Sequence, residues 1–261
     1  MAYALCRCRM SGVLAVLGIV GLIVTACGSS GHGAKHVAAS RAWRDGAPTS
    51  LADAERPPSP GQANAFARTV SLHHDDVPGF GVSSNHQHQT AAEERLEDEL
   101  GRCLEPSGSE RPLGEARSPE FERNSNGVEE SVESDVSVAR TPALAARELA
   151  EARNRKSQAC LVYHVAGLLR TQPSRGATIS PISVFDGIPR GLGSAGSFGL
   201  RITATVAVQN EREPVYVDFL GFVYGRAEVS LLASGVPRPI LAATEERLLR
   251  LLLARAKVQD P

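Results

Sequence analysis

The sequence predicts an α+β domain, an antiparallel sheet with helices packed on one face. Three observations point there. Residues 200–209 and 215–224 are apolar, β-branched runs joined by Asn210-Glu211-Arg212-Glu213-Pro214, a hairpin loop by composition. Residues 239–256 place Ile240, Leu241, Leu248, Leu251 and Leu252 on one helical stripe. Glu245 and Glu246 come early in that segment, and Arg250, Arg255 and Lys257 come late, an order that complements the helix dipole. Residues 93–104 repeat Leu96, Leu100, Cys103 and Leu104 at i, i+4, i+7 and i+8, which makes an amphipathic helix with Cys103 on its core side.

Read from its first residue, the chain opens with an export signal at 1–26. Arg7 and Arg9 form a basic start with no acid near them, and an apolar run follows at 13–24. That run is shorter than the roughly 20 residues a membrane span needs. It ends in Val24-Thr25-Ala26-Cys27. These residues resemble the lipobox of bacterial lipoproteins, which implies lipid on the Cys27 thiol and cleavage just before it. The membrane is then a partner through that anchor, and the location is the extracytoplasmic face of a bacterial cell membrane. An ordinary secretory signal with a chance cysteine is the alternative. Residues 27–61, rich in Ala, Ser, Pro and Gly with almost no apolar periodicity, read as a disordered, lipid-anchored tether. Residues 62–258 read as one α+β domain.

The formal net charge is −1 with no basic cluster, which argues against nucleic acid as a partner. Of the five cysteines, Cys6 and Cys8 leave with the signal and Cys27 is the lipid site. Cys103 and Cys160 remain as an even pair in an oxidising compartment, so a disulfide is expected, with two buried free thiols as the alternative.

Within the domain, a helical turn is expected at 63–67 and a Pro78-Gly79 turn before Phe80. Residues 105–127 read as loop, with Asn126-Gly127 at their end. Residues 136–138 read as a short strand. Thr141-Pro142 is an N-cap followed by Pro at the first helical position, opening a helix to about Arg153. A second helix at 158–169 carries Cys160. Strands are expected at 182–188 and 227–233.

The order of short motifs over 62–258 carries a resemblance. Leu72 and Asp76-Val77-Pro78-Gly79-Phe80 come first, then the helix with Cys103, Ser118-Pro119-Glu120-Phe121, Ser134-Asp135-Val136-Ser137-Val138 and Cys160. Tyr216-Val217-Asp218-Phe219 and a leucine-rich terminal helix close it. This order resembles the extracytoplasmic sensor-domain-like lipoproteins of actinobacteria, which are similar in fold to PsbP-like domains. The resemblance implies a curved antiparallel sheet flanked by helices, with a ligand-binding cleft and no catalytic residues to carry over. The kinase-attached sensor domains of that family hold two disulfides, whereas this chain has cysteines for one.

Few residues point to chemistry. Gly191-Leu192-Gly193-Ser194-Ala195-Gly196 matches a dinucleotide fingerprint, yet it precedes a strand instead of opening a helix, so it reads as a strand connection. No cofactor is expected. His73, His74, His86 and His88 lie close together near Asp75 and Asp76. They offer imidazole ligands for zinc or copper, against the plainer reading of a solvated loop. The acids among residues 93–99 read as a solvated helix face. Asp218, with Tyr216 beside it, is the one polar oddity. If the hairpin pairs as its loop composition indicates, Asp218 shares a side with Leu200, Ile202, Ala204 and Tyr216, which makes it a structural acid or a ligand contact. Two function classes follow. One is a non-enzymatic lipoprotein that binds a small molecule or an envelope protein. The other is a metal-binding or hydrolytic envelope enzyme that uses His73, His74, His86 and His88.

Overall fold

The computed structural model describes residues 57–259 except 84–90, 105–110, 172–177, 180–182, 187–191, 194 and 209–210. Cys27, the expected signal and most of the expected tether lie outside these residues, as do His86 and His88.

The elements run α1 (Pro60–Val70), a 3-10 turn (His74–Asp76), β1 (Gly81–Val82), α2 (Ala91–Leu104), β2 (Gly114–Arg117), β3 (Phe121–Ser125), β4 (Val128–Val138), α3 (Pro142–Ala152) and α4 (Arg155–Thr171). Then come β5 (Thr178–Ile179), β6 (Ser183–Asp186), β7 (Gly196–Val208), β8 (Glu211–Tyr224), β9 (Ala227–Val236) and α5 (Ala242–Gln259). The strands form one sheet in the order β1-β3-β4-β9-β8-β7-β5, with β2 also on β4 and β6 also on β7. All the described pairings are antiparallel, so the class is α+β.

The helices pack on both faces, not on one. α1 and α5 bury Phe66, Val70, Leu248 and Leu252 against Val132, Val136, Leu220, Phe222 and Leu231. On the opposite face α2 and α4 bury Leu100, Cys160, Val165 and Leu169 against Leu200, Ile202, Val215, Val217 and Val236. α3 adds Ala145 and Leu149 against Val223. The cause lies in β8, which is apolar on both sides and therefore needs cover on both.

Local chemistry sets the ends of several elements. In α1 the Ser59 hydroxyl accepts from the Gln62 N–H, and the Gln62 side chain accepts from the Ser59 N–H, with Pro60 at the first helical position. The helix is thus longer than the turn expected at 63–67, and its first turn lies in the stretch assigned to the tether. Thr141 caps α3 by accepting from the Leu144 N–H at 3.1 Å. α5 buries Leu248, Leu249, Leu252 and Ala256, while Leu241 is exposed and Leu251 half-buried, so its stripe is rotated from the expected one.

Two expectations fail for the same reason, strands longer than their apolar runs. Residues 111–127 are not loop but hold β2 and β3, and β4 begins at Val128 instead of residue 136. Asn126 (φ 53°) and Gly127 (φ 73°) make a two-residue turn between β3 and β4, whose positive φ values suit Asn and Gly. Likewise the β7–β8 ladder runs down to Val208↔Glu211, so Glu211 to Pro214 are strand and not hairpin loop. Pro214 lies before Tyr216, where β8 gains its second neighbour β9, which is a position a strand proline tolerates. The shorter loop changes the register. Leu200, Ile202 and Ala204 lie opposite Phe219, Val217 and Val215, and Asp218 lies opposite Arg201. Any odd-numbered shift exchanges the faces, so Asp218 does not share a side with Leu200 and Ile202.

Candidate functional site

The expected ligand residues come first. Asp218 is 2 % exposed, and Arg201 on β7 donates to both of its oxygens, Nε to Oδ1 at 2.6 Å and Nη2 to Oδ2 at 2.8 Å. Glu245 in the first turn of α5 brings Oε1 to 3.6 Å from the Arg201 Nη2. Burial, and then the Asp218 charge beside it, push the Glu245 carboxyl up to about 8, so it holds its proton at neutral pH. Tyr216 is half-buried and pairs with Thr203 and Gly235. With both carboxylate oxygens already occupied, this cluster ties β7, β8 and α5 together.

His73 and His74 do not build a metal centre with Asp76. The Asp76 carboxylate accepts from the His73 backbone N–H at 2.7 Å and from Arg255 of α5 at 2.6 and 2.8 Å, which fastens the 3-10 turn to the terminal helix. His74 is exposed, with Nδ1 at 3.8 Å from Asp75 Oδ1. Among the described residues, no three His, Cys, Asp or Glu side chains are grouped to hold a metal ion. His164 is buried on α4, its Nδ1 at 3.1 Å from the Leu96 carbonyl oxygen, and burial holds its pKa below the ordinary value.

Cys103 and Cys160 form a disulfide with a Cα separation of 5.9 Å, joining α2 to α4. Beside it is a groove of 280 Å³ lined by both cysteines, Leu100, Ala159 and Tyr163, between Glu99 and Lys156.

A second group of charged residues lies outside the sites expected from the sequence. On the α2/α4 face, the apolar contacts end at β9 with Leu232 and Val236. Past β9 the face turns acidic, because β4 alternates. Glu129, Ser131, Glu133, Asp135 and Ser137 all point one way, while Val132, Val136 and Val138 point into the α1/α5 core. Register brings more polar groups alongside: Glu122 opposite Ser131, Arg117 opposite Asp135, Ser234 opposite Ser131 and Glu228 opposite Ser137. The alternation of polar residues through 128–138 is the signal that would have located this face from sequence.

Part of this group is buried, with Glu133 5 % exposed, Glu129 6 % and Ser234 2 %, while Asp135, Glu122, Arg117 and Glu228 are half-buried. Arg117 Nε lies 2.7 Å from Glu133 Oε1 and 3.5 Å from Asp135 Oδ2. Ser83 donates to Glu122 at 2.6 Å, the Ser131 and Ser234 hydroxyls bond to each other at 2.8 Å, and Asn124 Nδ2 donates to Glu129 Oε1 at 3.3 Å. Glu129 Oε2 and Glu228 Oε1 are buried atoms with no hydrogen-bond partner among the described residues. Burial pushes Glu133 up to about 8 against the pull of Arg117, with Glu120 and Asp135 adding repulsion. Burial likewise lifts Glu120 to about 7 and Asp135 to about 6. Desolvation, and then a hydrogen bond to Glu148, lift half-buried Glu228 to about 10. Chemically this face can hold protons or accept a cation.

No protein family matches the chain, and no curated protein does. Among solved structures it is similar to the extracellular domain of PknH from Mycobacterium tuberculosis, with a TM-score of 0.30 and 12% identity, covering 66% of this chain and 100% of that one. A likeness of that size transfers no function.

Proposed function

We propose that this chain is a non-enzymatic binding lipoprotein, anchored through Cys27 to the extracytoplasmic face of a bacterial membrane and holding a ligand on the acidic half of its sheet. The observation that carries the binding role is the buried Oε2 of Glu129, which no hydrogen-bond donor among the described residues reaches. A native fold rarely leaves such atoms without a proton, a water or a ligand. The anchor rests on Val24-Thr25-Ala26-Cys27 behind an apolar run of export-signal length. A binding role also accords with the surroundings of the described histidines. Among the described residues, none is hydrogen-bonded to a Ser, Thr or Cys side chain, the contact that activates a nucleophile.

Native mass spectrometry of the full chain, extracted in mild detergent from the envelope of its own cells, tests the binding role. A defined adduct is expected, and it should be lost in the Glu129→Gln/Glu133→Gln variant. A wild type carrying no adduct, or one the variant retains, overturns the assignment of the site. Detergent phase partitioning tests the anchor. The wild type should enter the detergent phase and Cys27→Ser the aqueous phase, and identical behaviour of the two would exclude lipidation.

A further inference from the structure

The Cys103–Cys160 bridge reaches the surface. It forms part of the wall of the 280 Å³ groove between α2 and α4, beside Leu100, Ala159 and Tyr163. Its two ends are unequally open, because Cys103 is half-buried whereas Cys160 is 4 % exposed. The charges around it are unequal too. Glu99 and Lys156 are both exposed and both line the groove. Glu99 stands four residues before Cys103 on α2, and Lys156 four residues before Cys160 on α4, so each charge shares a helix face with one cysteine. A carboxylate beside a sulfur disfavours its thiolate, and an ammonium group favours it. Cys103 also lies in the last turn of α2, at the negative end of the helix dipole, which disfavours a thiolate there further. The bridge is therefore polarised. The end open to attack is Cys103, and the end that better carries the released electron pair is Cys160.

We propose that this groove is a thiol–disulfide exchange site for a dithiol protein, with attack at Cys103 and Cys160 as the leaving group. The thiolate of the incoming protein forms a bond to the Cys103 Sγ, the Cys103–Cys160 bond breaks, and its electron pair leaves on the Cys160 sulfur. The second thiol of the partner, after losing its proton, then attacks its own sulfur in the mixed disulfide and releases Cys103. The partner ends oxidised to a disulfide, and the bridge ends reduced to two thiols that take up the two protons. Lys156 draws the incoming thiolate to the rim and stabilises the thiolate left on Cys160. Glu99 makes Cys103 the poorer leaving group, which prolongs the mixed disulfide. The apolar wall of Leu100 and Ala159, with Tyr163 60 % exposed above it, offers contact area to the residues that flank a protein cysteine, which a small thiol reagent lacks. The site is separate from the acidic face and does not depend on the binding role assigned to it.

The test uses the full chain, purified in detergent with the bridge intact, and thioredoxin as the dithiol protein, kept reduced by its reductase and NADPH. Thioredoxin is expected to open the bridge about tenfold faster than dithiothreitol at equal thiol concentration, or better. A thioredoxin whose second active-site cysteine is replaced by serine, quenched in acid and mapped by mass spectrometry, should be found joined to Cys103, with Cys160 as the free thiol. Lys156→Gln should slow opening by about threefold or more, whereas Arg170→Gln, exposed at the far end of α4, should leave the rate unchanged. The rate should also stay constant in urea below the unfolding transition, because the groove is open in the native state. The proposal is overturned if the trapped protein is joined to Cys160 or to neither cysteine, if dithiothreitol is as fast as thioredoxin, or if Lys156→Gln has no effect. A rate that rises with urea in step with the unfolded fraction overturns it as well, since the bridge is then reached only by unfolding.

Discussion

Arg201 and Asp218 face each other across the β7–β8 ladder, and the guanidinium meets both carboxylate oxygens, at 2.6 and 2.8 Å. The acid is almost wholly buried, whereas the arginine side chain keeps 32 % of its exposure. Arg201→Ala strands a buried carboxylate next to Glu245, so a loss of about 2–3 kcal/mol is expected, below the full penalty for a buried pair because the arginine is partly in water. Arg201→Met/Asp218→Leu removes both charges and should recover most of that loss. Denaturant midpoints of the three proteins decide the matter. An Arg201→Ala protein as stable as wild type would mean that the pair does not hold β7, β8 and α5 together.

The same pair shows what the sequence could and could not reveal. Composition and periodicity located β7, β8, β9 and four of the five helices among the described residues, because each carries an apolar run or stripe of its own. They did not locate the acidic face. β4 carries Glu129, Glu130, Glu133 and Asp135 among its eleven residues, so it reads as polar until the alternation with Val132 and Val136 is noticed. Register was also beyond reach. Glu211 to Pro214 have turn composition but continue the ladder, so Asp218 pairs with Arg201 instead of Val206, an odd-numbered shift that placed Asp218 on the wrong side. The full length of α1 was hidden because the capping chemistry of Ser59 and Gln62 lies in a Pro- and Ser-rich stretch.

The disulfide closes a loop with a sequence separation of 57, for which the chain-entropy account gives about 4 kcal/mol. Reduction, or Cys103→Ala/Cys160→Ala, is expected to lower stability by about 3–4 kcal/mol. The contacts of α2 with α4, such as the His164–Leu96 bond, should remain in the folded fraction. Thermal melts with and without reductant measure this. A melting temperature indifferent to reductant would show that the α2–α4 pair needs no cross-link.

Gly114 lies where β2 passes directly against α1. A Cβ there would come within 2.4 Å of the Asn64 nitrogen and 2.5 Å of the Ala63 carbonyl carbon, both backbone atoms that cannot rotate aside. Gly114→Ala should therefore destabilise by about 2–3 kcal/mol, the upper part of the overpacking range. Gly61, in the first turn of α1, has nothing within 4 Å of a built Cβ, and Gly61→Ala should be neutral or stabilising by up to about 1 kcal/mol. Urea midpoints of the two variants check the contrast. If the two behave alike, the tight α1–β2 approach is wrong.

The buried acids make stability depend on pH with a defined sign. Glu133 and Glu245 are pushed up to about 8, Glu120 to about 7 and Asp135 to about 6, each chiefly by burial. The native state therefore keeps protons that the unfolded chain has already released above about pH 4.5, so these groups stabilise the fold at low pH and lose that contribution as pH rises through 6 to 8. His164 acts in the opposite direction. Its native pKa is lowered by burial, so the unfolded chain takes up a proton first and stability declines as pH falls below about 6.5. Several acids outweigh one histidine from about pH 4.5 upward, so the maximum is expected near pH 4–5, with a decline on the order of a few kcal/mol by about pH 8.5. Glu133→Gln removes one titrating group whose side chain is 7 % exposed, and it should flatten the decline between about pH 4.5 and pH 8 without moving the acid limb. His164→Gln should do the reverse, flattening the acid limb alone. Thermal melts across pH for the wild type and both variants decide it. Stability that holds constant or rises from about pH 5.5 to pH 8.5 would mean that the acidic face is ionised and compensated in the native state.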